Sequence, residues 1–205
     1  SGVRPMGASG DISPGLISRD YRIVRTSQEN EVPVLSLVGG KWTTFRALGE
    51  HLSSDVLKIL GKSRVVSTEK LPIGGGKGFP TKEADQKAWA NSHGQAVGQE
   101  RALQLLLRYG TRAKAVIDFI GSAPEKMLVH SPTFSDREIE FLVKNESVYR
   151  LEDLVHRRTN LAFTGSMNTA VLKEMAEIVS KVLHWDSSTS SAEVSGVHLE
   201  IGSKA

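Results

Sequence analysis

Val34-Leu35-Ser36-Leu37-Val38-Gly39-Gly40-Lys41-Trp42-Thr43-Thr44-Phe45-Arg46 reads as a strand, a glycine turn and the start of a helix. The apolar run begins at Val32, and Pro33 sits near its start, where a missing N–H is tolerated. A short run of this kind suits a strand buried on both faces. From Thr43 the period changes. Phe45, Leu48, Leu52, Val56 and Ile59 fall at helical spacing, with Glu50, Ser53, Asp55 and Lys58 off that stripe, and Gly61 ends it. Gly39 and Gly40 carry no Cβ, so another group can approach the backbone there. The helix that follows presents unpaired N–H groups and a positive dipole end. Thr43 and Thr44 add hydroxyls and Lys41 adds a full charge. Such a turn suits an anion, or the electron-poor edge of a ring whose charge grows during reaction. The same residues also describe a capped turn with Lys41 pointing into water.

Toward the N-terminus, Tyr21-Arg22-Ile23-Val24-Arg25 alternates as a half-buried strand does, and Gln28-Glu29-Asn30-Glu31 is a polar turn. Arg4 and Arg19 lie beside proline or serine, outside any helix that would give them an acidic partner. A guanidinium so placed either grips a phosphate or carboxylate with two prongs or is an ordinary surface arginine. Ser1-Gly2-Val3-Arg4-Pro5 resembles neither a signal peptide nor a domain start, so the expectation is a piece of a longer protein.

Toward the C-terminus, residues 63–80 read as a linker. Its core, Leu71-Pro72-Ile73-Gly74-Gly75-Gly76-Lys77-Gly78-Phe79-Pro80, has too much glycine and proline for regular structure. It is not a phosphate-cradling loop, because no Lys-Ser or Lys-Thr pair follows the glycines and no buried strand leads in. Beyond it come candidate helices at Thr81–Ser92, Gln99–Tyr109, Thr111–Ile120, Ser135–Asn145, Leu151–Thr159 and Asn168–His184. Ser135-Asp136-Arg137-Glu138 has the form of a capping box, with Glu138 placed to reach back to the Ser135 backbone. Val171, Leu172, Met175, Ile178, Val179, Val182 and Leu183 form one broad apolar face. Short loops predict an antiparallel helical bundle. The serine-rich tail from Asp186 is expected to be loosely ordered, with Ser195 to Ile201 either a helix end or disordered. The fold class is therefore α+β, mostly α, with domains at 1–62 and 81–205.

Across its 205 residues the chain is 39% hydrophobic and 24% charged, which fits a globular protein rather than a disordered one. The net charge of +3 is spread along the chain without an aromatic-interleaved basic stripe, which argues against a nucleic-acid footprint. The absence of cysteine excludes disulfides, thiol nucleophiles and thiolate metal sites. No apolar run is long enough to span a bilayer. The six histidines, at 51, 93, 130, 156, 184 and 198, show no metal-ligand spacing, and there is no Gly-x-Ser-x-Gly elbow. His156, Arg157 and Arg158, with Glu146, Glu152 and Asp153 near them, read as a charged helix surface held by ion pairs. Trp42, Trp89 and Trp185 read as packing anchors.

Ser1-Gly2-Val3-Arg4-Pro5, Ile17-Ser18-Arg19-Asp20-Tyr21 and Gly39 through Arg46 closely resemble the last part of the flavin domain of FAD-dependent glycerol-3-phosphate dehydrogenases. Glu146 through Phe163, with Leu151-Glu152-Asp153-Leu154 and Arg157-Arg158-Thr159, resembles the signature of the helical C-terminal domain in the same enzymes. The helix ending at His184-Trp185-Asp186 matches as well. The resemblance implies remnant strands and one helix of an FAD-binding domain, followed by that helical domain. It implies an oxidoreductase that moves a hydride from C2 of glycerol 3-phosphate to FAD, forming dihydroxyacetone phosphate, with electrons passed on to a quinone. Arg4, Arg19 and Lys41 would hold the substrate, the arginines gripping its phosphate. Gly40, Trp42, Thr43 and Thr44 would line the flavin ring. No catalytic residue is assigned, since the general base falls outside these motifs. The implied setting is cytoplasmic, at the inner face of the membrane, with peripheral contact and room for a homodimer.

The chain departs from the family pattern in that it contains no Gly-x-Gly-x-x-Gly fingerprint, so the pyrophosphate has no helix to sit on, and in the glycine- and serine-rich stretch from Met6 to Gly15, which does not align in detail. The 205-residue chain by itself is expected neither to retain FAD nor to turn over substrate. Two other readings share some of these features. Related flavin-dependent amino-acid oxidases place an arginine after a Gly-x-Arg-Pro run to grip a carboxylate, but generally lack the helical extension. The helical part would also serve as an interaction or dimerisation module.

Overall fold

The computed structural model describes residues 20–27 and 31–202. The chain divides into two units, Ser1–Pro72 and Ile73–Ala205.

In the first unit, β1 (Arg22–Arg25) pairs antiparallel with β2 (Leu35–Val38), placing Ile23 opposite Leu37 and Val24 opposite Ser36. A 3-10 turn at Trp42–Thr44 leads into α1 (Phe45–Ile59). Gly61, in the left-handed region at φ 65°, ends that helix as expected, and the Lys62 N–H closes on the Leu57 carbonyl at 2.8 Å. The expectation of a strand buried on both faces is not met. Val34 is 50% exposed, and no described residue between 20 and 72 is buried. The reason is geometric: a two-stranded sheet has two edges and, among the described residues of this unit, only α1 to cover it. The helical stripe is formed but similarly bare, with Phe45 53% exposed.

Polar bonds fasten the unit's last segment to α1. Arg64 Nη2 donates to the Glu50 carbonyl at 2.5 Å and to Ser54 Oγ at 3.1 Å. Arg46 donates to the Thr68 carbonyl, and the Thr68 hydroxyl donates to Glu50 Oε2 at 3.2 Å.

The second unit is helical: α2 (Glu83–His93), α3 (Gln99–Tyr109), α4 (Ala113–Ile120), α5 (Asp136–Asn145), α6 (Leu161–Thr164), α7 (Thr169–Leu183) and α8 (Ser187–Gly202). Two apolar cores share it. Ala102, Leu105, Leu106, Val116, Ile117 and Ile120 form one core with α2, α3 and α4. Ile139, Leu142, Leu154, Leu172, Met175 and Val179 form the other with α5 and α7. Helix α5 serves both, because Phe141 faces the first core while its neighbour Leu142 faces the second. Trp89 packs on the first core and Trp185 on the second, in the anchoring role expected of them.

Three local expectations are revised. Ser135 does cap α5, its Oγ accepting from the Glu138 N–H at 3.1 Å. The Glu138 carboxylate, however, turns inward to other partners instead of back to Ser135. The segment expected as a helix over Leu151–Thr159 contains a π-helix at Asp153–Arg158, closed by the Thr159 N–H on the Leu154 carbonyl at 3.0 Å. The serine-rich tail is ordered as α8. Asp186 caps it by accepting from the Thr189 N–H at 2.7 Å, Val197 is buried in the second core, and Glu193 accepts from the Leu151 N–H at 2.9 Å. Tertiary burial there overrides the weak helix propensity of serine.

The glycine-rich run at 74–78 forms turns and no helix or strand, and it is held at one close contact. Gly75 and Gly110, at φ 82° and 60°, lie backbone against backbone. A Cβ on Gly75 would fall 2.2 Å from the Tyr109 carbonyl oxygen, and one on Gly110 would fall 2.3 Å from the Gly75 oxygen. The Thr111 N–H donates to Gly75 at 2.9 Å and completes the pin.

Candidate functional site

The turn from Gly39 to Thr44 opens on two residues in conformations that few residues other than glycine adopt. Gly39 and Gly40 sit at φ 82° and 116°. A Cβ on Gly39 would lie 2.8 Å from the Asp20 carbonyl oxygen, and one on Gly40 would lie 3.2 Å from Leu48 Cδ1. The missing side chains thus admit the chain's own start of β1 and its own helix. The room they leave on that side is already filled. Thr44 closes the 3-10 turn twice, its N–H and its hydroxyl each donating to the Lys41 carbonyl at 3.1 Å. Its hydroxyl therefore has a structural duty.

The opposite side of the helix entrance is open. Lys41 is half-exposed and stands 3.9 Å from the exposed Asp20, an ion pair worth little in water and easily exchanged for another anion. Thr43 is exposed and borders a shallow cleft of about 550 Å³ with Arg46, Glu50, His51 and Glu69. The Tyr21 hydroxyl meets His51 Nδ1 at 3.3 Å across the start of β1. Of the residues singled out in the sequence, the structure brings Gly40, Lys41, Thr43 and Thr44 together in one turn with the backbone of Trp42. Arg4 and Arg19 lie outside the described residues, as does the side chain of Trp42.

These residues fit the edge of an anionic ring or a phosphate on electrostatic grounds. A helix N-terminus, an ammonium group and a free hydroxyl meet on one exposed surface. Their role is to bind and orient, since none is a proton acceptor placed for catalysis.

A charged centre in the helical unit escaped the sequence reading. Glu138 is fully buried and accepts from Arg101 Nη2 at 2.5 Å, Arg108 Nη1 at 2.6 Å and the Tyr109 hydroxyl at 2.5 Å. Arg101 also pairs with Glu125 at 3.3 Å, and Arg108 lies 4.0 Å over the Phe134 ring. Burial, reinforced by the Glu138 carboxylate, pushes the Tyr109 hydroxyl well above its ordinary range, so it stays a donor. One signal was available: Arg101 and Arg108 are seven apart on α3 and therefore share a helix face.

Residues 66–190 match the family model described as the C-terminal domain of alpha-glycerophosphate oxidase. The chain is 30% identical over 161 residues to a glycerol-3-phosphate dehydrogenase of Pseudomonas aeruginosa, a match covering 78% of the chain and 31% of that protein. It is 27% identical over 159 residues to the aerobic glycerol-3-phosphate dehydrogenase of Escherichia coli, covering 78% and 32%. A D-erythritol 1-phosphate dehydrogenase of Brucella abortus is 29% identical over 162 residues, covering 78% and 32%. The chain thus spans about a third of the length of the curated relatives it matches. With 125 of its 205 residues (66 through 190) inside the matched domain, the chain belongs to the family of alpha-glycerophosphate oxidase C-terminal domains.

Proposed function

We propose that this chain works as the C-terminal third of an FAD-dependent oxidoreductase that converts sn-glycerol 3-phosphate to dihydroxyacetone phosphate. The observation that carries the reading is the family membership of residues 66–190. The open, positive helix entrance at Lys41–Thr44 supports it from the other unit.

FAD, when bound, would supply the acceptor for the hydride of C2, with a quinone as the final electron acceptor. The C2 hydroxyl loses its proton to a base beyond the residues described above. Lys41 binds the substrate's negative charge together with Arg4 and Arg19, and the fork of each guanidinium suits a phosphate dianion. Gly40, Trp42, Thr43 and Thr44 line the ring at the dipole end of α1, where anionic charge is stabilised. Quinone use implies peripheral contact with the inner face of the cytoplasmic membrane. No helix among the described residues is long and apolar enough to cross one. The chain's own sequence has no dinucleotide fingerprint, so it does not hold FAD by itself.

Anaerobic reduction of the full-length flavoprotein tests the reading. Glycerol 3-phosphate is expected to bleach the flavin, and D-erythritol 1-phosphate or an amino acid to do so far more slowly. Lys41→Ala should raise KM about tenfold with a smaller change in kcat, the loss of one charged contact being worth roughly 1.5 kcal/mol. Preferential bleaching by an amino acid would replace the reading with an amino-acid oxidase.

A further inference from the structure

One cleft in the helical unit is unlike the rest of its surface. It measures about 410 Å³ and lies where the Ile73–Gly74 backbone, the Gly110 turn, α5 and the end of the π-helix meet. Its floor is apolar, made by Val116, Phe141 and Leu142, which are all buried. Its rim carries the guanidiniums of Arg112, Arg157 and Arg158 against a single acid, Glu146.

The partners of these arginines leave positive charge over. Arg112 Nη2 pairs with Glu146 Oε1 at 3.2 Å, and Arg157 pairs with Asp153 one helical turn back. Arg158 has no acid. Its Nε donates to the Glu146 carbonyl at 2.7 Å, and its two terminal nitrogens have no hydrogen bond among the described residues. Arg112 and Arg157 are more than half exposed, so their pairs are worth little and yield readily to a stronger anion. Arg108 is different, because Glu138 and the Thr133 carbonyl already occupy it, and it serves as wall.

Two features hold the rim in place before any ligand arrives. The π-helix turns Leu154 and Val155 into the core while Arg157 and Arg158 line the cleft, and π segments of this kind occur often at functional sites. On the other wall the Gly75–Gly110 pin fixes the backbone beside Arg112, whose Cδ lies 3.7 Å from the Cβ position of Gly74. Such preorganisation lowers the entropy lost on binding.

We propose that this cleft is a binding site for an organic phosphate monoester, with the phosphate on Arg112, Arg157 and Arg158 and an apolar body on the Val116–Phe141–Leu142 floor. A phosphate dianion matches several forked donors better than a monoanionic carboxylate does. The volume suits a small ligand. The assignment does not depend on the redox reaction proposed above, and its test requires neither FAD nor turnover.

The 205-residue chain, labelled with 15N, is titrated with phenyl phosphate, inorganic phosphate and benzoate. A further arm uses phosphatidylcholine vesicles with and without phosphatidic acid, to separate a free ester from a lipid headgroup. Saturable shifts are expected at the amides of Gly110–Arg112 and Arg157–Thr159. Phenyl phosphate should bind at least fivefold tighter than inorganic phosphate, and benzoate weaker than either. Arg158→Gln should weaken phenyl phosphate at least tenfold, while Lys87→Gln, at an exposed position on α2, changes nothing. If Arg158→Gln fails to fold, the double variant Arg112→Gln/Arg157→Gln reads the same rim. Shifts that do not saturate, equal binding of benzoate, or affinity untouched by the rim variants would overturn the site. Binding seen only with phosphatidic acid vesicles would replace the free ester with a lipid headgroup.

Discussion

Glu138 shows how much of the helical unit hangs on one carboxylate. Three donors from α3 converge on it at 2.5–2.6 Å, and no water reaches it. Removing its charge leaves two guanidiniums around a neutral amide, one of them nearly buried, and breaking a buried pair from one side is costly. Glu138→Gln is therefore expected to lower stability by about 3 kcal/mol in urea unfolding. Glu140→Gln, two residues further along α5 and in a partly exposed ion pair with Arg137 and Lys144, should cost under about 1 kcal/mol. The sequence pointed to Ser135 and Glu138 as a capping box, and half of that pattern holds. The other half failed because a local motif competes with long-range partners, and Arg101 and Arg108 lie about thirty or more positions away in the chain. No reading of spacing around residue 135 reaches that far.

Among the elements, α8 departs furthest from its sequence. Serine and threonine fill its first turns, and propensity alone gives no helix there. What makes it is its surroundings: the cap at Asp186, the Glu193 clamp on Leu151 and the burial of Val197. Hydrogen bonds from Thr189, and then from Ser188, hold the Asp186 carboxyl at about 2. Its folded value lies below its ordinary one, so the cap's contribution is present above about pH 4 and is lost as pH falls toward 2. Amide exchange at Thr189 and Ser190 should therefore quicken between pH 4 and pH 2, after allowance for intrinsic rates. Asp186→Asn, which caps without a charge, should flatten that dependence. By contrast α1, α3, α5 and α7 stand close to where their apolar periods put them, because each has a 3.6-residue stripe and a clear stop. The π-helix was read as plain α, since a widened turn leaves no distinct mark in an apolar period.

At the scale of the molecule the two units differ in kind. The helical unit has two continuous apolar cores, whereas residues 20–72 contain no buried side chain among those described. Local stability follows burial, so hydrogen exchange should divide the chain. In exchange mass spectrometry of the 205-residue protein, peptides from 20–72 are expected to be fully exchanged within about a minute. Those from α3, α5 and α7 should remain protected for hours. Slow exchange across α1 would show that the strand–turn–helix is a stable structure by itself. The candidate site was legible as a motif because glycines, a lysine and hydroxyls cluster within a few residues. Its burial was misjudged because an apolar strand reads alike whether or not another layer covers it.

The Gly75–Gly110 contact also bears on where this protein can be divided by recombinant means. The first helix of the second unit begins at Glu83, which invites a gene starting there. Such a gene would discard the stretch of backbone that meets Tyr109 and Gly110, and with it the acceptor for the Thr111 N–H. The natural cutting point lies just before Ile73, where residues 69–72 are all exposed. A fusion partner or an affinity handle belongs there too, upstream of the glycines and not among them.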